Sequence, residues 1–287
     1  MTPRSLDPPF GAHAFSAPLE SLRRMAALMP KNRLGRICVS AIRRLVVRGR
    51  PGPFDVEVFP SVRARLYPAS NRCEKRAVAG IQLFDFGERM ALREACLSSS
   101  SAPFVFVDLG ANVGLYSLWM VSVAREASRP FQGLAVEPDP ETRARLEDNL
   151  AASCASDIVA VAPVAVGETA GRGAIVTHGQ NRGEHMVRAA EASDADTVEI
   201  LTVQEICARH GVSRIDAMKI DLEGHDEGAL RGLFSGAPDT LWPQLIVVEA
   251  GKGADLPPVV RLCLDNGYRL DRRTRLNALL TRASRPS

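Results

Sequence analysis

With 287 residues, 46% of them apolar and 24% charged, the chain can bury one sizeable core with an appendage, and its composition excludes a disordered or low-complexity protein. No apolar run approaches the roughly 18 to 20 residues that cross a bilayer, and the opening MTPRSLDPPF lacks the apolar stretch of a secretory signal, so a cytoplasmic location is expected. The net charge is only +3, but residues 1–76 hold 15 Lys and Arg against 5 Asp and Glu, which leaves the rest of the chain net acidic.

The first elements predicted in chain order are two helices, Pro18–Met29 and Leu34–Val47. Leu22, Met25, Leu28 and Met29, then Ile37, Ala41, Ile42 and Leu45, recur at helical spacing with arginines on the other face. PGPF at 51–54 ends this region, and FDVEVFP and VRARLYP read as a pair of short strands forming a small lid or edge. A helical segment from about Gly87 to Leu97 leads through the loop SSSSAP into the main domain. The expected organisation is a basic extension over residues 1–100 and a main domain over 101–287.

From Phe104 onward apolar runs alternate with helical ones, the pattern of βαβ units on a parallel sheet. Strands are predicted at Phe104–Leu109, Gly133–Glu137, Ile158–Val166, Ala217–Asp221, Leu245–Glu249, Tyr268–Leu270 and Ala278–Leu280. Helices are predicted at Leu115–Glu126, Pro140–Ala152, Val203–His210, Glu227–Phe234 and Pro257–Asn266. The expected fold is α/β, a doubly wound, mostly parallel sheet of seven strands. The stretch Gly171–Ile200, with Gly171, Gly173, Gly179 and Gly183, reads as an inserted hairpin. The six cysteines are scattered without a CxxC pair, so reduced, mostly buried thiols are expected rather than a zinc knuckle or a disulfide framework.

A parallel strand that ends in a glycine turn and opens a helix gathers backbone N–H groups and a positive helix end at one point, where ligands bind. FVFVDLGANVGLYSL has this shape. Asp108 stands at the strand end, and Gly110 lets the backbone turn and approach a ligand. The spacing is GxxxG, ending at Gly114, with Ala111 and Asn112 where a dinucleotide loop would place its middle glycine, which disfavours a pyrophosphate crossing the loop. The second strand ends in AVEP, placing Glu137 where a carboxylate can take both hydroxyls of a ribose. Val166, at the end of the third strand, suits either an adenine face or plain sheet core. The fourth strand ends in MKIDLEGHDE, which packs Asp221, Glu223, His225, Asp226 and Glu227 together. So many ionisable groups at the end of a buried strand point to a site.

Together these residues resemble the FkbM-type family of class I S-adenosylmethionine-dependent methyltransferases. The matching pieces are VDLGANVGLYSL, VEPDPETRARLEDNL, APVAVGE, MKIDLEGHDEGALRG and PQLIVVEA, in family order over roughly residues 104–250, and KIDLEGH is the most specific of them. Asp226 stands where Glu is more familiar. The resemblance implies a Rossmann-like class I fold and S-adenosylmethionine as cofactor. It implies that Asp108 and Gly110 meet the methionine end, Glu137 the ribose, and Asp221 the edge of the methyl-transfer cleft; Asn112, Gly114 and Val166 complete the expected cofactor set. It also implies O-methylation of a small-molecule or sugar hydroxyl.

Methyl transfer from a sulfonium is an in-line displacement that needs alignment, exclusion of water and removal of the acceptor's proton. His225, with an ordinary pKa near 6.5, is the first candidate base, with Asp221 or Glu223 as orienter or alternative. A metal on Asp221, Glu223 and His225 is not expected, because no remote ligand is evident. The expected partners are a small-molecule or glycan acceptor and, for the basic amphipathic first 48 residues, a peripheral membrane surface or other anionic partner. Nucleic acid is disfavoured, since aromatics are 5% of the chain and do not interleave with the arm's arginines. The rival readings are a nucleic-acid methyltransferase whose basic arm binds phosphates, the weaker of the two, and a catalytically silent binding protein that keeps the fold.

Overall fold

The computed structural model describes residues 6–176, 186–189, 197–251, 253 and 255–283. Its main sheet has seven strands: β3 (Phe104–Leu109), β4 (Phe131–Val136), β5 (Val159–Ala162), β10 (Ala217–Ile220), β11 (Leu245–Glu249), β12 (Tyr268–Arg273) and β13 (Asn277–Arg282). Their order is β12-β13-β11-β10-β3-β4-β5, all parallel except β13, which runs antiparallel to both neighbours. The doubly wound, mostly parallel fold expected from the sequence is therefore the one observed.

Every residue of β3 is buried, because helices cover both faces of this central strand. Phe104 and Phe106 enter one core with α4 (Phe86–Ser98), α5 (Leu115–Glu126) and α6 (Pro140–Ala152). Val105, Val107 and Leu109 enter the other, with α7 (Val203–Arg209), α8 (Asp226–Gly236) and α9 (Pro258–Asp265). Local sequence starts these helices. Asp139 accepts from the Thr142 N–H ahead of Pro140, and Thr202 with Glu205 forms a capping box on α7.

The predicted single strand Ile158–Val166 is divided. Pro163, which has no N–H to donate, separates β5 from β6 (Ala165–Val166), and β6 pairs instead with β9 (Thr197–Leu201) in a second sheet. That sheet has the order β6-β9-β7-β8 and contains the expected hairpin, β7 (Gly171–Val176) against β8 (Met186–Ala189). Gly179 and Gly183 lie outside the described residues.

The first hundred residues form α1 (Ala17–Ala27), α2 (Arg33–Val47), β1 (Phe54–Phe59), β2 (Val62–Leu66), α3 (Arg72–Val78), a 3-10 turn at Ile81–Leu83 and α4. The β1–β2 ribbon is built into the core. Its Phe54, Val56, Val58, Phe59, Val62, Ala64 and Leu66 share one core with Leu118 and Trp119 of α5. Polar contacts fix the seam: Ser122 Oγ donates to the Pro60 carbonyl at 2.7 Å, and the Arg65 N–H donates to Asn149 Oδ1 at 2.7 Å. The expected boundary near residue 100 thus divides the sequence but not the core. Among the described residues no helix is long and apolar enough to cross a membrane.

Candidate active site

The chain leaves β3 toward β4 on one side of the sheet, while β10 pairs on the other side. This reversal of strand order is where open α/β sheets place their ligands, outside the carboxyl ends of the strands. The loop after β3 and the loop after β10 meet there. At Gly110 (φ +71°) an added Cβ would lie 1.9 Å from the Asp221 carbonyl oxygen, so only glycine permits the approach. At Gly114 (φ +85°) it would lie 2.4 Å from Leu146 Cδ1 of α6.

Three polar groups shape the loop. Asp108 is 1% exposed; its Oδ2 accepts from the Ser117 N–H at 3.1 Å and from Ser117 Oγ at 2.8 Å, while its Oδ1 is buried with no hydrogen-bond partner among the described residues. Burial raises the Asp108 pKa against the pull of Lys219 and Ser117. Asn112, at φ +52°, donates its N–H to Glu137 Oε2 at 2.9 Å and accepts at Oδ1 from the Val113 N–H at 2.8 Å. Asn tolerates this left-handed conformation better than most residues. Glu137 Oε1 accepts from the Asp139 N–H at 3.0 Å, and burial pushes this carboxyl up to about 7 although both N–H bonds oppose the shift.

Beneath the loop, Lys219 of β10 donates Nζ to the Gly110 carbonyl at 3.2 Å and to Asp221 Oδ2 at 3.1 Å. Burial alone would lower the Lys219 pKa, but Asp221 and Asp108 beside it raise it on balance, so the ammonium stays charged. Lys219 binds the two loops together from below, and the sequence motifs alone do not single it out. Its signal is the lysine in MKIDLEG, a cation within an otherwise apolar buried strand.

Above this floor opens a cleft of about 700 Å³. Asp221, Glu223 and Glu249 line its floor, together with Ala111 and Asn112. Its walls come from the first hundred residues and the C-terminal hairpin: Arg36 and Arg43 of α2, Arg72, Cys73 and Arg76 of α3, Asp85 and Phe86 at the start of α4, and Arg275 in the β12–β13 turn. Asn71 caps α3 by accepting from the Cys73 and Glu74 N–H groups, and its Nδ2 donates to Asn112 Oδ1 at 2.8 Å. Asp85, at φ +39°, accepts from the Tyr116 hydroxyl at 3.0 Å; burial and then Glu88 raise its pKa. Burial and Asp221 raise that of Glu249. None of these wall residues is a sequence-based candidate.

The predicted residues therefore separate. Asp108, Gly110, Asn112, Gly114, Glu137, Asp221 and Glu223 converge on the two loops and the strand ends beside them. Val166 is packed in the second core, on β6, where the break at Pro163 carries it into the other sheet. His225 is exposed at the N-cap of α8 and also lies outside the cleft lining. The peptide turn at Glu223 (φ +49°) and Gly224 (φ +99°) precedes it. Asp226 instead turns inward and accepts from the Leu222 N–H at 3.0 Å, bracing the loop. Among the described residues no group of three or more His, Cys, Asp or Glu is placed to hold a metal ion.

The family model for the methyltransferase FkbM domain matches residues 108–270, more than half of the chain and the whole of the site just described except its N-terminal and hairpin-turn walls. The chain belongs to the FkbM methyltransferase family. No curated protein matches the sequence. Among solved structures, this FkbM-family chain is similar to the methyltransferase FkbM from Methylobacillus flagellatus KT, at 16% identity and a TM-score of 0.39 over 72% of this chain and 53% of that one. It thus spans about half the length of that relative. It is also similar to the METTL16 MTase domain, at 13% identity and a TM-score of 0.46 over 93% and 91% of the two chains. A third likeness is to M. capricolum TrmK in complex with S-adenosyl-homocysteine, at 8% identity and a TM-score of 0.37 over 67% and 66%.

Proposed function

We propose that this FkbM-family protein transfers a methyl group from S-adenosylmethionine to a hydroxyl of a small molecule, sugar or lipid-linked glycan held in the cleft. The observation that carries the reading is the meeting of the Gly110 loop with Asp221 at the floor of that cleft. The residues fit the cofactor. Asp108 has a buried oxygen without a partner among the described residues, Gly110 leaves a cradle that any Cβ would fill, and Glu137 places its carboxyl at the end of β4. Asp108, Gly110, Asn112 and Gly114 would hold the methionine end and Glu137 the ribose.

S-adenosylmethionine, when bound, supplies a methyl carbon on a sulfonium sulfur, which keeps the C–S electron pair as the new O–C bond forms. The chain's own work is to align the acceptor oxygen, shed water and take the hydroxyl proton. Asp221 and Glu223 line the cleft and are the groups we assign to proton removal; His225, exposed outside it, is less well placed. Lys219 keeps Asp221 in position from below.

Calorimetric titration with S-adenosylmethionine and S-adenosylhomocysteine tests the reading. Binding that weakens by about 1–3 kcal/mol in Glu137→Ala, the scale of lost charged hydrogen bonds, supports it and justifies a screen of hydroxylated acceptors. Failure to bind either ligand returns the protein to a silent interaction module.

A partner is proposed for the outer face of the α1–α2 hairpin: an anionic membrane surface. Leu34, Ile37 and Leu45 are 65%, 58% and 54% exposed on one stripe of α2, and Met25 and Leu28 are 51% and 81% exposed at the end of α1. Exposed Arg24, Arg33, Arg44 and Arg48 flank them, a charge pattern complementary to acidic headgroups. Co-sedimentation with phosphatidylglycerol vesicles, lost in Leu34→Glu/Ile37→Glu, is the expected result. A dimer that the same variant dissociates in solution would assign the face to a second copy of the chain instead.

A further inference from the structure

We propose that the acceptor carries a phosphoryl group, received by Arg36, Arg76 and Arg275 on the wall of the cleft. The inference rests on the methyl-transfer reading and narrows its substrate class. The cleft is electrically divided. Its floor is acidic, with Asp221, Glu223 and Glu249 at the ends of β10 and β11, a setting suited to a cationic cofactor. Its wall is a set of guanidinium groups from three separate stretches of chain: Arg36 and Arg43 from α2, Arg72 and Arg76 from α3, and Arg275 from the β12–β13 turn.

These arginines are not all doing the same thing. Arg43 is tied to the fold, since its Nε and Nη2 donate to the Ala79 carbonyl at 3.1 and 2.8 Å and hold α2 over the end of α3. Burial and the neighbouring Arg76 both lower the Arg43 pKa, a sign that positive charge is crowded on this wall. The exposed side chains of Arg36, Arg76 and Arg275, by contrast, have no hydrogen bond or ion pair among the described residues. Arg36 and Arg76 belong to the basic stretch 1–76 and Arg275 to a second basic stretch near the other end of the sequence, and the fold brings the two to one cleft. The turn that carries Arg275 is pinned: the Thr274 hydroxyl and Asn277 Nδ2 both donate to Glu88 Oε1, the latter at 2.8 Å. Asp85 and Glu88 also line the cleft, so five arginines stand against two carboxyls on this wall.

Guanidinium groups facing a common space repel one another, and an anion with several oxygens relieves that repulsion while accepting their N–H donors in pairs. A phosphate ester or diphosphate offers that geometry. A neutral acceptor would leave the arginines without purpose, and a cationic one would be repelled. The arrangement also orients the acceptor, with its phosphoryl end at the wall and a hydroxyl toward the floor.

The experiment is calorimetry on the full chain at low ionic strength, with inorganic pyrophosphate in one arm and a water-soluble short-chain phosphatidic acid in the other, each with and without saturating S-adenosylhomocysteine. The expected result is binding that weakens at least tenfold in Arg76→Gln/Arg275→Gln and is unaffected by Arg261→Gln, an exposed arginine on α9 far in sequence from the wall. Persistence of that binding beside S-adenosylhomocysteine is also expected. Tighter binding of the lipid assigns the phosphoryl group to a lipid-borne acceptor, and equal or tighter binding of pyrophosphate assigns it to a soluble one. The proposal is overturned if neither probe binds, if Arg261→Gln weakens binding equally, or if S-adenosylhomocysteine displaces the probe. Loss of S-adenosylhomocysteine binding alone would sink the methyl-transfer reading and leave the anion site standing.

Discussion

Asn71 Nδ2 donates to Asn112 Oδ1 at 2.8 Å, so one side chain that begins α3 also holds the glycine loop after β3. The same Asn71 caps α3 with its other amide atom, accepting from the Cys73 and Glu74 N–H groups. The first hundred residues and the family's glycine loop are therefore mechanically joined at a single buried amide.

Asn71→Ala should lower stability by about 1 kcal/mol through the lost cap, and should also weaken S-adenosylhomocysteine binding severalfold by releasing Asn112. Urea denaturation and calorimetry read the two effects separately. A stability loss with unchanged affinity would show that the loop is held well enough without its amide partner.

Gly110→Ala places a methyl 1.9 Å from the Asp221 carbonyl in a backbone with φ +71°. The left-handed conformation alone costs a side-chain-bearing residue roughly 1–2 kcal/mol, and the two loops must also part. Loss of cofactor binding together with a lower urea midpoint is expected; a variant that binds normally would mean the loops approach less closely in solution.

Removing Lys219 as Lys219→Met leaves buried Asp108 beside Asp221 without their shared cation. Breaking a buried pair from one side costs on the order of 3–5 kcal/mol, and because Asp221 is 44% exposed the loss should fall at the lower end of that range. Lys219→Met/Asp221→Asn should recover part of it. If the double variant is as unstable as the single one, Asp108 rather than Asp221 is the partner that matters.

The pH dependence of Glu137 has a definite sign. Its folded pKa, about 7, lies above the ordinary carboxyl value of 4.5, so its contribution to stability is fully present below 4.5 and is lost as pH rises through about 7. The stability of the wild type relative to Glu137→Gln should accordingly fall between pH 5 and pH 8. With the ribose held as proposed, its hydroxyls would donate to the ionised carboxylate, so affinity for S-adenosylhomocysteine should rise over the same interval and flatten in the variant. Parallel rather than opposed trends in stability and affinity would contradict this assignment.

Much of the main domain is legible in the sequence because central parallel strands are apolar along their whole length and their helices begin at readable caps. Phe104–Leu109, Leu115–Glu126, Pro140–Ala152 and Leu245–Glu249 stand where the pattern puts them. Ile158–Val166 misleads because apolar character continues across Pro163, whose missing N–H is what diverts the chain. Helix α3, RCEKRAV, has too few apolar residues to show a period, and only Asn71 marks its start. In the site, the loops after β3 and β10 are visible as motifs local in sequence. The arginine wall is not, because Arg36, Arg76 and Arg275 become neighbours only when α2, α3 and the last hairpin fold over the same cleft.

The shared core of the β1–β2 ribbon and α5 bears on how such a protein can diversify. Leu66 and Val62 fill space against the same helix that starts at the glycine loop, and Arg63 and Arg65 are bonded through their backbone to Ser153 and Asn149. A chimera that took its first hundred residues from another family member would inherit foreign contacts along α5 and α6. The outward faces of those two helices must change together with the ribbon, so new acceptor walls cannot be exchanged as cassettes; they have to be acquired one substitution at a time on α2, α3 and the terminal hairpin, while the ribbon beneath them stays fixed.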